Sequence, residues 1–406
     1  MSEKFPKDWK IKPLGSFIKN IGDGGTPSTS DQSNFGGGIP WIVISDIQRE
    51  IWKTKTTLSE KGLKKSSSKL WKPQTVILST GATIGQVGIA KTKLATKQGI
   101  TGIECDDNLL PEYLYYFLKN NKHLLLSLSQ GSTIEEIRAP TLVKLNVSIP
   151  PLPEQKKIAS ILTSVDDVIE KTQSQINKLQ DLKKATMNEL LTKGIGHTDF
   201  KDSELGRIPK SWKITELSKV SMILSSNVDK KTIENETLVS LCNYMDVYKN
   251  LIITREINFM KASAKKSEIN KFLIKKDDVI ITKDSETPDD IAISSYVSED
   301  FDNVLCGYHL SIIRSNKSVV DGKFLSLFFK LDYTRHRFSI LANGTTRFGL
   351  NLKEIENSKI MIPSLEEQKK IANIIFSLDD EISTITKKFN KYIFLKKSLI
   401  QDLLTG

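Results

Sequence analysis

Between residues 149 and 193 apolar side chains recur every three or four positions: Ile158, Ile161, Val165, Val168, Ile176, Leu179, Leu182 and Leu190. That spacing puts them on one stripe of an α-helix, and its persistence over several heptads predicts a coiled-coil seam. Residues 362–406 repeat the pattern with Ile371, Ile375, Leu378, Ile382, Ile385, Phe389, Tyr392, Leu399 and Leu403. The offset is constant, 362 − 149 = 213, and about half of the positions are identical without a gap. Pro150, Pro151 and Pro153 precede the first helix and Pro363 the second, where a missing N–H costs nothing. Ser364 and Glu367 have capping-box spacing, and Gly194 stands where a helix-ending glycine is expected. A helix over 154–192 would be a rod of about 58 Å. One such seam alone would stay wet. The two are expected to bury each other, with Ile158, Val165, Ile176 and Leu179 set against Ile371, Leu378, Ile385 and Phe389. A tail that only dimerises is the plainer alternative, but the helices alternate with globular segments, as a spacer would.

The globular segments repeat as well. Phe5-Pro6-Lys7-Asp8-Trp9 returns as Ile208-Pro209-Lys210-Ser211-Trp212, and each Trp is expected to anchor a domain entrance. Thr75-Val76-Ile77-Leu78 and Val279-Ile280-Ile281 read as matching buried strands at 279 − 76 = 203, with different tips. After the first comes Ser79-Thr80-Gly81-Ala82-Thr83, after the second Thr282-Lys283-Asp284-Ser285-Glu286-Thr287. One scaffold presenting two surfaces is the natural reading. Gly22-Asp23-Gly24-Gly25-Thr26-Pro27-Ser28 is either a surface turn or a nucleic-acid contact loop. Lys64-Lys65-Ser66-Ser67-Ser68-Lys69, with Lys261, Lys265 and Lys266 in a comparable place, suits phosphates but also plain solvation. Residues 111–128 and 324–333 are aromatic, Leu-rich helices whose rings are expected in the core. Residues 194–207 read as a polar linker. The unit that begins at Phe5 looks like a continuation of the unit that ends at Gly406, so the termini are expected to lie close together.

Charge sharpens this picture. The 406 residues carry +11 at pH 7, which favours a polyanion, nucleic acid ahead of a membrane surface. Cys105, Cys242 and Cys306 lack metal-ligand spacing and point to reduced thiols in a cytosol. No apolar run reaches about 18 residues, so no membrane span is expected. The histidines, His123, His197, His309 and His336, are scattered. No nucleophile elbow, dinucleotide fingerprint or P-loop occurs. Pro288-Asp289-Asp290 lacks the Glu-x-Lys that a metal-dependent nuclease would add. The repeated pairs Asp166-Asp167 and Asp379-Asp380 suit structural or docking roles better than acid–base work.

Along its whole length the chain resembles the specificity subunit of type I restriction–modification systems. The resemblance rests on Ile149-Pro150-Pro151-Leu152-Pro153-Glu154-Gln155, Ile362-Pro363-Ser364-Leu365-Glu366-Glu367-Gln368, Gly25-Thr26-Pro27, Gly131-Ser132-Thr133 and Leu205-Gly206-x-Ile208-Pro209-x-x-Trp212. Residues 244–250 and 282–292 also look like stretches of such domains, while 343–348 follow the pattern more loosely. It implies an α/β (α+β) chain with two target-recognition domains, 1–148 and 195–361 with the connector. Two antiparallel coiled-coil helices, 149–194 and 362–406, would hold them apart with pseudo-twofold symmetry. The implied function is recognition of a bipartite DNA site, without catalysis by this chain. The implied partners are double-stranded DNA, two copies of a DNA adenine methyltransferase subunit and a translocase/endonuclease subunit. S-adenosylmethionine, ATP and Mg would bind those partners, and this chain would hold no cofactor or metal. Expected DNA-contacting residues in the first domain are Thr26, Ser28, Lys64, Lys65, Ser67, Lys69, Thr80, Thr83, Gln130, Ser132 and Thr133. In the second they are Lys249, Lys265, Lys266, Lys283, Ser285, Thr345, Thr346 and Arg347. The rival readings are a stand-alone metal-dependent nuclease and a coiled-coil scaffold without a DNA role. Cytoplasmic location follows from the thiols and the family.

Overall fold

The computed structural model describes residues 6, 8–81, 83–129 and 136–405. The chain resolves into two compact units, Met1–Ser174 with Lys387–Gly406, and Gln175–Thr386. Both expected helices are present, as α1 (Leu152–Lys193) and α2 (Leu365–Thr405). At ~1.5 Å per residue the 42 residues of α1 extend about 63 Å. Gly194 ends α1 at φ +68°, its N–H donating to Leu190 O at 3.2 Å.

In the first unit a five-stranded sheet has the order Ile18–Asp23, Ile100–Cys105, Val76–Ser79, Val87–Ala90, Glu50–Ile51. Val76–Ser79 is central and wholly buried, as its unbroken apolar run requires. A smaller four-stranded sheet orders Thr56–Leu58, Phe35–Ile42, Leu94–Thr96 and Leu70–Trp71. The second unit repeats the larger sheet with Ser221–Ser225, Leu310–Ser315, Asp278–Thr282, Ser294–Val297 and Ile252–Ile253. Its smaller sheet has three strands, Met260–Ala264, Thr237–Cys242 and Val304–Cys306.

Each unit closes where its helix begins. Lys10–Pro13 pairs antiparallel with Asn146–Ile149, and Lys213–Glu216 with Lys359–Ile362, so the entering and leaving strands run side by side. Both tryptophans anchor these entrances. Trp9 Nε1–H donates to Glu154 at 3.3 Å, and Trp212 Nε1–H to Glu367 at 3.1 Å. The capping box at α2 is half formed. Ser364 Oγ accepts from the Glu367 N–H, but the Glu367 carboxylate turns away to Trp212, the Ile195 N–H (3.0 Å) and His197 (2.8 Å).

The next residue explains why Glu-Gln recurs. Gln155 is fully buried; its Oε1 accepts from the Leu110 N–H (2.8 Å), and its Nε2 donates to Asn108 O (2.8 Å) and Pro150 O (2.9 Å). Gln368 does the same with the Asp321 N–H (2.8 Å), Val319 O (3.0 Å) and Pro363 O (3.0 Å). Each amide staples a long helix to the loop ahead of the aromatic helices. Those helices each come in two pieces, Pro111–Asn120 with Lys122–Ser127, and Gly322–Phe328 with Asp332–Leu341. Most of their rings are core, with Tyr113, Tyr115, Tyr116 and Phe329 among the largest fully buried side chains, but Tyr333, expected in the core, is 51% exposed.

The apolar stripes serve the unit cores more than a simple helix–helix seam. Ile158, together with Leu162, packs into the first core cluster with Trp9 and Leu404. Ile371, with Ile375, packs into the second with Met187, Leu191 and Trp212. Ile176 and Ile385 are buried, whereas Val165, Leu179, Leu378 and Phe389 are half-buried. Val168 and Leu182 face solvent, contrary to the periodic reading. The acidic pairs are structural on their buried side. Asp166 pairs with Lys396 and accepts from Tyr116 OH at 3.0 Å; Asp379 pairs with Lys183 at 2.5 Å. These are the same two positions in each repeat, 379 − 166 = 396 − 183 = 213. Both pairs set an early turn of one helix against a late turn of the other, so within each unit the segments run antiparallel. The connector is ordered, not a loose linker: Phe200–Ser203 and Gly206–Pro209 form a hairpin. The termini lie outside the described residues.

Candidate nucleic-acid interface

In the first unit, two of the loops singled out in the sequence come together. A Cβ on Gly24 would sit 2.3 Å from the carbonyl oxygens of Thr96 and Lys97, and one on Gly25 would meet Ser67 Oγ at 2.4 Å. These glycines therefore serve close packing of the 23–28 loop against residues 66–69 and 96–97. Trp41 Nε1–H fastens Gly25 O at 3.2 Å from below. The result is an exposed polar tip that carries Thr26, Ser28, Ser67 and Lys69, with Lys64 and Lys65 exposed on the preceding turn. Lys69 lies across Gly22 and 5.8 Å from the Trp71 ring.

Thr80 does not reach this surface. It is buried, sharing a hydrogen bond with the Thr101 hydroxyl (3.0 Å), which donates to Asp23 at 2.5 Å. It supports the loop from inside and is not placed to touch a base. Thr83 is exposed. Gln130, Ser132 and Thr133 lie outside the described residues.

In the second unit the surface is built differently. Lys249, Lys265, Lys266, Thr345, Thr346 and Arg347 are exposed. Lys283 folds inward, its ammonium donating to Ser226 O at 2.6 Å and lying 4.7 Å from the Tyr308 ring. Burial pushes its pKa down, so it fastens a loop and is not held out toward phosphate. Ser285 and Arg347 line a cavity of about 410 Å³ together with Lys230, Tyr244, Tyr248, Asp284, Asp290 and His309. Tyr244 and Tyr248 are one helical turn apart and stack at 5.6 Å and 19°. The Asp246 carboxylate caps this short helix by accepting from the Asn243 N–H at 2.7 Å. The Tyr244 hydroxyl meets Ser285 at 3.0 Å, and Tyr248 OH donates to Asp290 at 3.3 Å. His309 Nδ1 lies 2.7 Å from Asp284 Oδ1, and Arg347 Nη2 lies 3.2 Å from the same oxygen. Burial lowers the His309 pKa, Asp284 opposing and Arg347 reinforcing, so the ring is neutral at pH 7.

Sequence reasoning found Ser285 and Arg347 here and missed the tyrosines, Asp284 and His309. The Asn-x-x-Asp cap was the available signal, since it starts a helix that puts Tyr244 and Tyr248 on one face. Among the described residues no group of His, Cys, Asp and Glu is placed to hold a metal ion. None of the described helices is long and apolar enough to cross a membrane. The combination of two duplicated scaffolds, each with an exposed polar tip of its own chemistry, is what a reader of two different surfaces needs.

Known proteins share this organisation. The family model described as the type I restriction modification DNA specificity domain matches twice, at residues 6–181 and 209–393. The chain is 29% identical to the type I restriction enzyme MjaIX specificity subunit of Methanocaldococcus jannaschii, over 99% of this chain and 94% of that one. It is 21% identical to the EcoKI specificity subunit of Escherichia coli, over 99% and 88%. The fold is similar to the crystal structure of a type I restriction–modification S subunit from M. genitalium, with TM-score 0.62, 17% identity and coverage of 100% and 99%. With both repeats matched and the fold shared from end to end, the chain belongs to the type I restriction modification DNA specificity family.

Proposed function

We propose that this chain is the DNA-recognition subunit of a type I restriction–modification complex. Each globular unit reads one half of a split duplex site, and α1 and α2 fix the gap between the halves. The observation that carries this is duplication with divergence. The helix staples Gln155 and Gln368 and the anchors Trp9 and Trp212 recur with equivalent partners, while the equivalent strand ends differ, Thr80-Gly81 in one unit and Lys283-Asp284 in the other. A scaffold kept constant beneath changing tips serves readout of two unlike sequences. Two linked readers also raise the effective concentration at the second half-site.

In this reading the repeat docks two copies of an adenine methyltransferase subunit, and a translocase/endonuclease subunit joins for cleavage. Those partners hold S-adenosylmethionine, ATP and Mg, and the complex works in the cytoplasm. The chain itself performs no bond chemistry. Single-molecule methylation mapping of DNA from cells that carry this chain and its methyltransferase is the test, and a split, asymmetric motif is expected. Inserting about one helical turn, four residues, into both α1 and α2 should lengthen the gap and leave the half-sites unchanged. An unchanged gap would refute the ruler. Metal-dependent cutting by the isolated chain would refute the recognition reading.

A further inference from the structure

We propose that Arg347 reads a guanine in the half-site addressed by the second unit, and that Asp284 and His309 hold its guanidinium in reading position. This rests on the recognition reading above and adds the base and the residues.

The backbone that carries Arg347 is fixed. Asn343 and Gly349 exchange two backbone hydrogen bonds, Asn343 N–H to Gly349 O at 3.0 Å and the reverse at 2.9 Å. Gly344 sits at φ +151°, and a Cβ there would lie 1.9 Å from Arg347 O, so the turn demands glycine. Asp284–Ser285 pairs with Phe348–Gly349, tying the turn to the end of the central strand.

The side chain is held on one side only. Nη2 of Arg347 lies 3.2 Å from Asp284 Oδ1, and 3.1 and 3.3 Å from the two ring nitrogens of His309. The Asp284 and His309 side chains are 17% and 19% exposed, against 58% for Arg347. Among the described residues the other N–H groups of Arg347 have no partner. With the side chain 58% exposed, Nη1 and the remaining Nη2 hydrogen can together offer a ligand two parallel N–H groups, the guanidinium fork.

Charge separates the two ligands such a fork could take. A phosphate contact needs net positive charge, but Asp284, Glu286 and Asp290 line this cavity against Lys230 and Arg347. That balance repels a phosphate. A guanine edge is neutral and offers two acceptors, O6 and N7, side by side in the major groove, and no other base does. A fork whose orientation is set by a neighbouring carboxylate matches that edge.

The clamp belongs to the second unit alone. The Lys283 N–H donates to His309 O at 3.0 Å, as the Thr80 N–H does to Gly99 O at 2.8 Å, so the strand ends are equivalent. Asp284 and His309 thus stand where the first unit has Gly81 and Gly99, two glycines in backbone contact.

The test is methylation mapping with the full chain and its methyltransferase, comparing the unaltered chain with Arg347→Ala, Arg347→Lys and Asp284→Asn. The half-site of the second unit is the one left unchanged when residues 1–148 are exchanged for a homologous domain. That half-site should contain a guanine, and Arg347→Ala should relax discrimination at that position roughly ten- to a hundred-fold. Arg347→Lys, which keeps the charge but not the fork, and Asp284→Asn should relax the same position by less. All other positions should stay strict. If Arg347→Ala methylates nothing, the two milder variants decide. A half-site without guanine, strict motifs in the milder variants, or a uniform loss of rate with no relaxed position would each overturn the assignment and leave the recognition reading standing. An unaltered chain that directs no split-site methylation would remove both.

Discussion

Replacing Gln155 by Met keeps the length and volume of the side chain and removes three hydrogen bonds at once. The Leu110 N–H loses its acceptor, and the carbonyls of Asn108 and Pro150 lose their donor. Gln155 is fully buried, so water cannot take over without opening the start of α1. An unsatisfied buried N–H costs about 1–3 kcal/mol and a carbonyl with a second lone pair costs less, so about 3–5 kcal/mol is expected in total. For a unit of this size that is a drop in melting temperature on the order of 10 °C. Calorimetry of the purified chain checks the magnitude, and amide exchange at Leu110 checks the cause. Gln155→Glu is the companion variant. It still accepts from the Leu110 N–H, but its second oxygen faces two carbonyls, which favours the protonated acid. Its folded pKa is therefore raised, and its stability should be retained below the ordinary carboxyl pKa of about 4.3 and lost as pH rises above it. A Gln155→Met chain within about 0.5 kcal/mol of the unaltered one, with Leu110 still protected, would show that the staple is incidental.

Two further outcomes follow from particular contacts. Burial, reinforced by the Lys183 charge and opposed by Asp379, pushes the Lys330 pKa down from 10.5 to about 8. Its lowered pKa means a cost that is full below pH 8 and fades as pH climbs toward 10.5. Lys330→Met should therefore stabilise the second unit by about 1–3 kcal/mol at pH 7 and by much less at pH 10, as melting curves at the two values would reveal. Gly24→Ala drives a Cβ into two backbone carbonyls that cannot step aside, so the 23–28 loop must move. Methylation mapping should show weakened selection in one half-site only, and an unaffected motif would mean that this loop does not face DNA.

Much of the architecture was open to reading because the chain states it twice. The apolar stripes, the prolines ahead of them and the constant 213-residue offset place both helices within two residues of their observed starts. What the stripes could not reveal is their destination. Ile158 and Ile371 obey a coiled-coil period yet pack into globular cores, since a helix period records which face is covered and not by what. Gln155 and Gln368 were visible as a recurring motif, but their role depends on loops more than forty residues upstream. Thr80 looked like an accessible tip residue because strand ends usually are; Thr101 and Asp23, distant in sequence, draw it inside. The cavity around Arg347 draws on residues from 230 to 347, and no local pattern announces such a gathering.

The core beneath Trp9 includes Leu404, and the core beneath Trp212 includes Met187 and Leu191. Severing the protein at its repeat boundaries would thus leave every fragment with an apolar scar where a borrowed helical end had been. By the same token, a foreign reading head spliced in by genetic exchange must fit a socket that its host supplies. Variation in these proteins is free to run at the fingertips, while the wrist has to stay standard.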